Sequence, residues 1–475
     1  MFVLSVASCT PKPPEQQFVD DAMRAVGGRA KIDAVKSIVI EGAGVNYNLG
    51  QDMKPEAATQ QFAVSPYKRE IDVEQGRQRI EQTRTPKFAF FQGPQPQVQI
   101  QVLDGDIGFN VAPNGTASRL TGLAERDRRI DYFHHPVTAL KAATATEITK
   151  ISNVRTVGNV RQADFAFRDR QWTMTIDPSG LPLSISSKAY NANLGDVVIT
   201  TTFADYQDSN GLKLPARITG RVDDFTIYDI QASKQSVDAA LGNMSAPPAV
   251  VNAISPPPPN VTVESIGKGV WFLAGGSHNS VLVEFGDHLM LIEAPQSEAR
   301  AMAVIKKARE TVPKKPLTEL VTSHHHFDHT AGMRAAIAEG LTVITQAGNK
   351  AWVDNMARRP HTLQQDFLAK NSSRLHIDTV DEDREFKDQT MTLMLYHVAG
   401  NPHSDTMLMA YIPRDRLLIE ADAFSPGAQV NPYAANLLEN IRKRNLRVDK
   451  IVPLHGTITP FAELGKVAEV KGTQD

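Results

Sequence analysis

Over much of the first half of the chain, polar and apolar positions alternate with a period of two. Val98-Gln99-Ile100-Gln101-Val102 and Trp172-Thr173-Met174-Thr175-Ile176 switch strictly, the pattern of half-buried strands. Val197 to Phe203 is rich in β-branched residues, which fit a pleated surface. Turn formers punctuate these runs at Asp104-Gly105, Asn114-Gly115, Asp177-Pro178-Ser179-Gly180 and Ser209-Asn210-Gly211. One segment keeps a helical period instead. Phe18, Val19, Ala22, Met23 and Val26 share a face, and Gly27-Gly28 stop the helix. The pattern predicts a β-rich domain over 18–245, a helix followed by one large, curved antiparallel sheet.

The rhythm changes in the second half. Short apolar runs (Leu317 to Val321, Met391 to Leu395, Met407 to Ile412, Arg416 to Ala421, Lys450 to Leu454) read as buried strands, and Met333 to Ala338 is a helix former. Ala351 to Arg374 reads as a mostly helical cover, with Trp352, Met356, Leu363 and Phe367 at helix-compatible spacing. Between the halves, Ala246-Pro247-Pro248 and Ser255-Pro256-Pro257-Pro258-Pro259 favour an extended linker over 246–260. The chain has 475 residues, more than the ~250–300 at which single cores stop growing. The fold class is therefore α+β in two domains, the second spanning 261–475.

Composition narrows the function. Charges are balanced, 51 Lys and Arg against 53 Asp and Glu, and aromatic–basic clusters are absent, so the electrostatic footprint of a nucleic-acid binder is missing. No run of ~18 apolar residues marks a membrane span. The single cysteine, Cys9, follows the small residues of Val6-Ala7-Ser8 and the apolar Phe2-Val3-Leu4, a pattern that looks like a bacterial lipoprotein cleavage site. Residues 1–17 would then be a signal remnant and tether, with lipidated Cys9 anchoring the protein in the cell envelope, at the periplasmic face or outer membrane. The apolar stretch is short and lacks a basic start, as a start site assigned too far downstream would explain. An incidental N-terminal thiol on a cytoplasmic protein is the alternative.

The densest chemistry lies in His324-His325-His326-Phe327-Asp328-His329, between the strand Leu317 to Val321 and the helix Met333 to Ala338. On a strand-to-helix loop, alternate side chains of an H-x-H-x-D-H motif can converge on one point. Neutral imidazole with carboxylate suits Zn, and also Fe or Mn. Further ligand types follow at the ends of apolar runs: His403 in Gly400-Asn401-Pro402-His403, Asp422 after Glu420-Ala421, and His455 before Gly456. His134 and His135 lack a carboxylate at ligand spacing and read as loop or core histidines.

In this order, His324, His326, Asp328, His329, His403, Asp422 and His455 make residues 262–475 resemble the metallo-β-lactamase superfamily. The resemblance implies an αββα sandwich with a two-metal centre at one edge. It implies that His324, His326 and His403 hold the first metal, that Asp328, His329 and His455 hold the second, and that Asp422 bridges them. His325 has no ligand role in the pattern. Glu293 stands where the family usually has an Asp that supports the site. The first half also resembles the lipoprotein-carrier type of periplasmic half-barrel, through Phe203-Ala204-Asp205-Tyr206 and Gly211-Leu212-Lys213-Leu214-Pro215.

Two cations about 3.5–4 Å apart lower the pKa of bound water to near 7. The expected function is a hydrolase with two divalent ions, zinc foremost, using a bridging hydroxide on a small ester, lactone or lactam. Asp328 is the expected catalytic residue, orienting the nucleophile or accepting its proton. A carboxylate at 422 is similar to glyoxalase II, lactonases and phosphodiesterases rather than to the familiar zinc β-lactamases. The 20 residues from Gly456 to Asp475 are too few for the helical substrate domain of glyoxalase II. Candidate substrate contacts are His278 and Asn279, in the loop Gly275-Gly276-Ser277-His278-Asn279, with Asn431 and Tyr433 after the bridging Asp. The alternatives are β-lactamase-like or phosphodiesterase activity, or a non-catalytic envelope protein whose metal site is structural and whose β domain carries an apolar ligand.

Overall fold

The alternating segments of the first half pair into one antiparallel sheet. In the computed structural model, which describes residues 12–469 apart from 90, 92, 94, 146, 147, 254–256 and 372, it has thirteen strands among the described residues. Strands that follow one another in sequence pair, save Ala117–Arg119 and Thr149–Val157, which form the two opposite edges. At the centre of the sheet the first strand, Ser37–Tyr47, pairs with the last, Phe225–Val237. Each turn expected from sequence closes a hairpin, with Gly105, Gly115, Gly180 and Gly211 at positive φ.

The sheet has to curl. Helix Gly122–Asp131 touches Ile107–Val111 near one edge and both Arg170–Ile176 and Pro182–Asn191 toward the other. Those strands lie eight to nine places apart, about 40 Å in a flat sheet, whereas a ten-residue helix is only about 15 Å long. The amphipathic helix, Pro14–Val26, buries Phe18, Val19, Ala22, Met23 and Val26 in the same core as Val137 and Leu140. His134 and His135 are buried there too, His134 between Thr201 Oγ1 (2.9 Å) and Ser187 Oγ (2.8 Å).

The second half is two sheets face to face. The first runs from Thr262–Gly267 through Leu289–Ile292 as an antiparallel meander, then continues with the parallel strands Leu317–Val321, Thr342–Gln346 and Ile377–Val380. The second contains Asp383–Lys387, Thr392–His397, Leu408–Ile412, Leu417–Glu420, Lys450–Pro453 and Thr459–Pro460. Val281, Val283, Ile292 and Val321 of one sheet pack on Leu393, Leu408, Ile419 and Val452 of the other. Helices Glu298–Thr311 and Met333–Ala338 cover one outer face, and Ala434–Lys443 and Phe461–Glu469 the other. This is an αββα sandwich. Among the described residues no helix is long and apolar enough to cross a membrane.

Two expectations change in detail. The proline-rich stretch is no free tether through its first part: Val250 is buried beside Met244, Val102 and Phe109, an apolar side chain facing an apolar patch of the sheet. The insert after Ala351 is helical only over Lys350–Arg358 and Phe367–Lys370. Trp352, Val353 and Met356 belong to the core, and the segment between the helices rests on the first domain. There Asp196 accepts from the backbone N–H of Thr362 (2.8 Å) and Leu363 (3.0 Å), and Arg359 reaches Asp223. Cys9 lies outside the described residues.

Candidate metal centre

All seven ligand-type residues meet at one edge of the sandwich, where the strands ending at Val321, Glu420 and Pro453 release their loops. They form two groups. His324, His326, His403 and Asp422 make the first, and Asp328, His329 and His455 join His278 in the second. Asp422 faces both. Its Oδ2 lies 3.0 Å from His403 Nε2 and 3.1 Å from His329 Nε2, and its Oδ1 lies 3.0 Å from His455 Nε2. His325 belongs to neither group. Its ring is held by Thr406 Oγ1 (3.1 Å) and the carbonyl of Asp52 (3.0 Å).

Local structure places each side chain. Asn401 is fully buried and its Oδ1 accepts from the backbone N–H of His403 (2.8 Å), closing the turn that presents that imidazole. After Leu417–Glu420 the chain turns sharply, with Asp422 at φ +62°. The buried Glu420 carboxyl accepts from the N–H groups of Ala423 and Phe424, and burial pushes its pKa up to about 8. Glu293 also sits at positive φ, +71°. Non-glycine residues in this region cost of order 1–3 kcal/mol and concentrate at functional sites.

The outer hydrogen bonds choose tautomers. Nδ1 of His329 meets Glu293 Oε2 (3.0 Å), Nδ1 of His455 meets the Ser277 carbonyl (3.1 Å), and Nδ1 of His324 meets Ser323 Oγ (2.9 Å). For these three, Nε2 faces the centre. His326 is reversed: its Nε2 donates to the Asp52 carbonyl (2.8 Å), leaving Nδ1 inward. His324 Nε2 and His326 Nδ1 are buried without a hydrogen-bond partner. Orphaned lone pairs of this kind are costly unless something binds them. The donor set fits a divalent metal.

Electrostatics agree. Burial holds His324 down to about 3 and His326 well below its ordinary value, so both stay neutral, as ligands must. Burial also disfavours charge on His329, but the Asp422 and Glu293 carboxylates outweigh it and raise its pKa. Those two carboxylates demand positive charge between them. Asp328 would be raised by burial, but the hydrogen bond from His278 and the charge of His329 bring it below the usual carboxylate range.

The candidate substrate contacts have other partners. His278 is buried, its Nε2 3.2 Å from Asp328 Oδ2, and it groups with Asp328, His329 and His455. Asn279 is buried and spent on structure. Its backbone N–H donates to Leu454 and its side chain to the Gly456 carbonyl (2.9 Å), bracketing His455. Asn431 Oδ1 accepts from the Ser425 N–H, closing its own loop. Tyr433 is buried with its ring 4.9 Å from that of His403. Sequence reasoning missed two residues altogether, Gln51 and Asp52 from the first domain. Gln51 Nε2 donates to Asp328 Oδ1 at 2.7 Å.

Residues 273–456 match the family model of the metallo-beta-lactamase superfamily. Solved structures similar to part of the chain include a metallo-beta-lactamase from Pontibacter korlensis (18% identity, 45% of this chain and 100% of that one, TM-score 0.36). A metallo-beta-lactamase from Hirschia baltica is comparable (16% identity, 44% and 97%, TM-score 0.35). So is FIM-1 from Pseudomonas aeruginosa, in its mono-zinc form (17% identity, 45% and 95%, TM-score 0.35). No curated protein matches the chain.

Proposed function

From the premise that the C-terminal half of this chain belongs to the metallo-β-lactamase superfamily, we propose that it is a hydrolase. It would hold two divalent ions, zinc foremost, and act on a small ester, lactone or lactam. The observation that carries this reading is Asp422, which stands between the two His/Asp groups, its Oδ2 near His403 and His329 and its Oδ1 near His455. His324, His326 and His403 would hold one ion, Asp328, His329 and His455 the other, and Asp422 would join them. Two such ions acidify water and polarise a carbonyl or phosphoryl oxygen.

The chain's own residues do the rest. Asp328 has one oxygen toward the second group and is 38% exposed at its side chain, so it lines the side on which a substrate would arrive. His455 is 24% exposed, whereas His324 is sealed. Entry is therefore over Asp328 and His455, and a sealed structural site would not leave that side open. Tyr433 backs His403 and keeps its ring in place. Small uncharged or singly charged substrates suit the balanced surface charge better than a polyanion does.

The deciding experiment is a panel of chromogenic lactones, aryl esters, lactams and phosphodiesters, run on the full chain with and without a chelator. Chelator-sensitive turnover of the first three supports the reading. Turnover of phosphodiesters alone would move it to that class, and metal binding with no turnover would favour the structural alternative. Anchoring in the cell envelope through Cys9 is a proposal from sequence alone. It predicts that Cys9→Ser releases the protein from the membrane fraction.

A further inference from the structure

The segment between the strands Ser37–Tyr47 and Gln61–Asp72 leaves the β domain and crosses the metal centre. We propose that this strap, residues 48–60, is a positioning element of the centre: Asp52 selects the ligating nitrogen of His326, and Gln51 restricts Asp328 to one ligating oxygen. The proposal rests on the two-metal reading above.

A carbonyl oxygen can only accept, so the nitrogen facing it must carry the proton. The Asp52 carbonyl lies 2.8 Å from His326 Nε2 and 3.0 Å from His325 Nε2. His326 is thereby protonated on Nε2 and keeps its lone pair on Nδ1, the buried atom with no partner. His325 has both nitrogens engaged and nothing left to offer a metal. One carbonyl thus arms His326 and occupies His325.

The carbonyl is aimed by its own side chain. Asp52 is 4% exposed, and its Oδ2 accepts from Thr59 N–H (2.6 Å), Thr59 Oγ1 (3.0 Å) and Gln60 N–H (3.0 Å), while Oδ1 accepts from Met53 N–H (2.8 Å). The strap is pinned at both flanks. The Gly50 carbonyl accepts from Phe327 N–H (3.1 Å), and the Met53 carbonyl accepts from Asp405 N–H (2.9 Å), so it grips the loops of Asp328 and His403 together. Gly50 itself has φ +79°, and a Cβ there would stand 2.4 Å from the Phe327 ring. Only glycine lets the strap pass so close.

Gln51 acts on the other ion. Its Nε2 donates to Asp328 Oδ1, while Oδ2 faces His278 Nε2 (3.2 Å) and His329 Nε2 (3.9 Å). With Oδ1 engaged, the carboxylate is held for monodentate binding through Oδ2.

The two residues serve different ions, so their variants should separate. Zinc titration of the full chain against a chromogenic chelator, with cobalt(II) absorption as the second readout, makes the test. The wild type should take up two ions. Gln51→Ala should weaken one of them by ~10–100-fold, the usual effect of removing an outer-shell partner. It should change one set of cobalt bands and leave the thermal melt in place. Gln51→Glu, which sets a carboxylate against Asp328 Oδ1, should shift the same ion differently from Gln51→Ala. Asp52→Ala should weaken the other ion. Wild-type affinity for both ions in Gln51→Ala and Asp52→Ala overturns the strap proposal and leaves the two-metal reading standing. A wild-type chain binding fewer than two ions overturns both.

Discussion

Glu293 holds His329 from behind, Oε2 to Nδ1 at 3.0 Å, with neither residue's side chain open to solvent. The other oxygen, Oε1, accepts from the backbone N–H of Ser323 (2.6 Å), which heads the histidine loop. One carboxylate therefore fixes both the tautomer of one ligand-type residue and the start of the segment carrying three more. Glu293→Gln keeps an acceptor for Ser323 and turns an amide N–H₂ toward His329 Nδ1. That reverses the preferred tautomer and should lower affinity at the second site by ~10–100-fold. Zinc titration reads it, and unchanged affinity would show that Glu293 serves only the backbone.

His325 and Asp422 are the discriminating pair for the ligand assignment. His325 packs between Thr406, the Asp52 carbonyl and Trp352, outside both ligand groups. His325→Ala should retain two ions per chain by elemental analysis. Asp422→Ala removes the carboxylate that faces both groups and should lose more than the ~10–100-fold of an outer-shell change. Loss of metal in His325→Ala with retention in Asp422→Ala would invert the assignment.

The seven positions that meet at the site were legible because each sits beside a short apolar run, and a strand end is where a side chain can turn into a cleft. Gln51 and Asp52 were not. Gln51 lies 277 positions from its partner Asp328, and Asp52 works through a backbone carbonyl, which no residue type announces. His278 and Asn279 looked like loop-tip residues because their polarity says nothing about the strand end packed over them. In the first half the period-two pattern gave strands and turns correctly. The closure of the first strand on the last has no local signature, since it depends on the sheet curling around its helices.

Acid should destabilise the β domain through two buried histidines. Burial lowers His134 to about 4 and His135 to about 3, with Asp131 and Arg69 modulating the first and Arg69 adding to the second. Both are neutral in the fold and take up protons more readily when unfolded. Their contribution is fully present above the unfolded value near 6.5 and is lost as pH falls toward 4 and 3. Shifts of this size correspond to about 3 kcal/mol for His134 and about 5 kcal/mol for His135. His135 accepts from the Val137 N–H at a helix start, a role Asn fills without titrating. His135→Asn should therefore move the acid unfolding midpoint to lower pH, followed by Trp172 fluorescence. An unmoved midpoint would remove His135 from the acid response.

The last prediction concerns whether the metal half can stand alone. Sequence suggests that it can, since a proline-rich stretch divides the halves and all seven ligands lie beyond it. The contacts across that boundary argue otherwise. Phe327, inside the ligand motif, packs with Leu49, Leu194 and Val197 of the β domain. Its carbonyl accepts from Asn193 Nδ2 (3.2 Å), whose Oδ1 in turn accepts from Thr330 Oγ1 (2.9 Å). Asp52 and Gln51 add the tautomer and carboxylate contacts, and Asp196 adds the grip on Thr362 and Leu363. A chain beginning at Val261 would expose Phe327 and leave His325 and His326 without their acceptor. Water can replace that carbonyl, but it donates as well as accepts and so no longer fixes which nitrogen of His326 carries the proton. The truncated chain should therefore bind zinc more weakly at both sites than the full protein, and should aggregate more readily through the uncovered apolar surface. Two ions held at full-length affinity by a monomeric truncated chain, measured by zinc titration and light scattering, would show that the β domain only rests against a finished site.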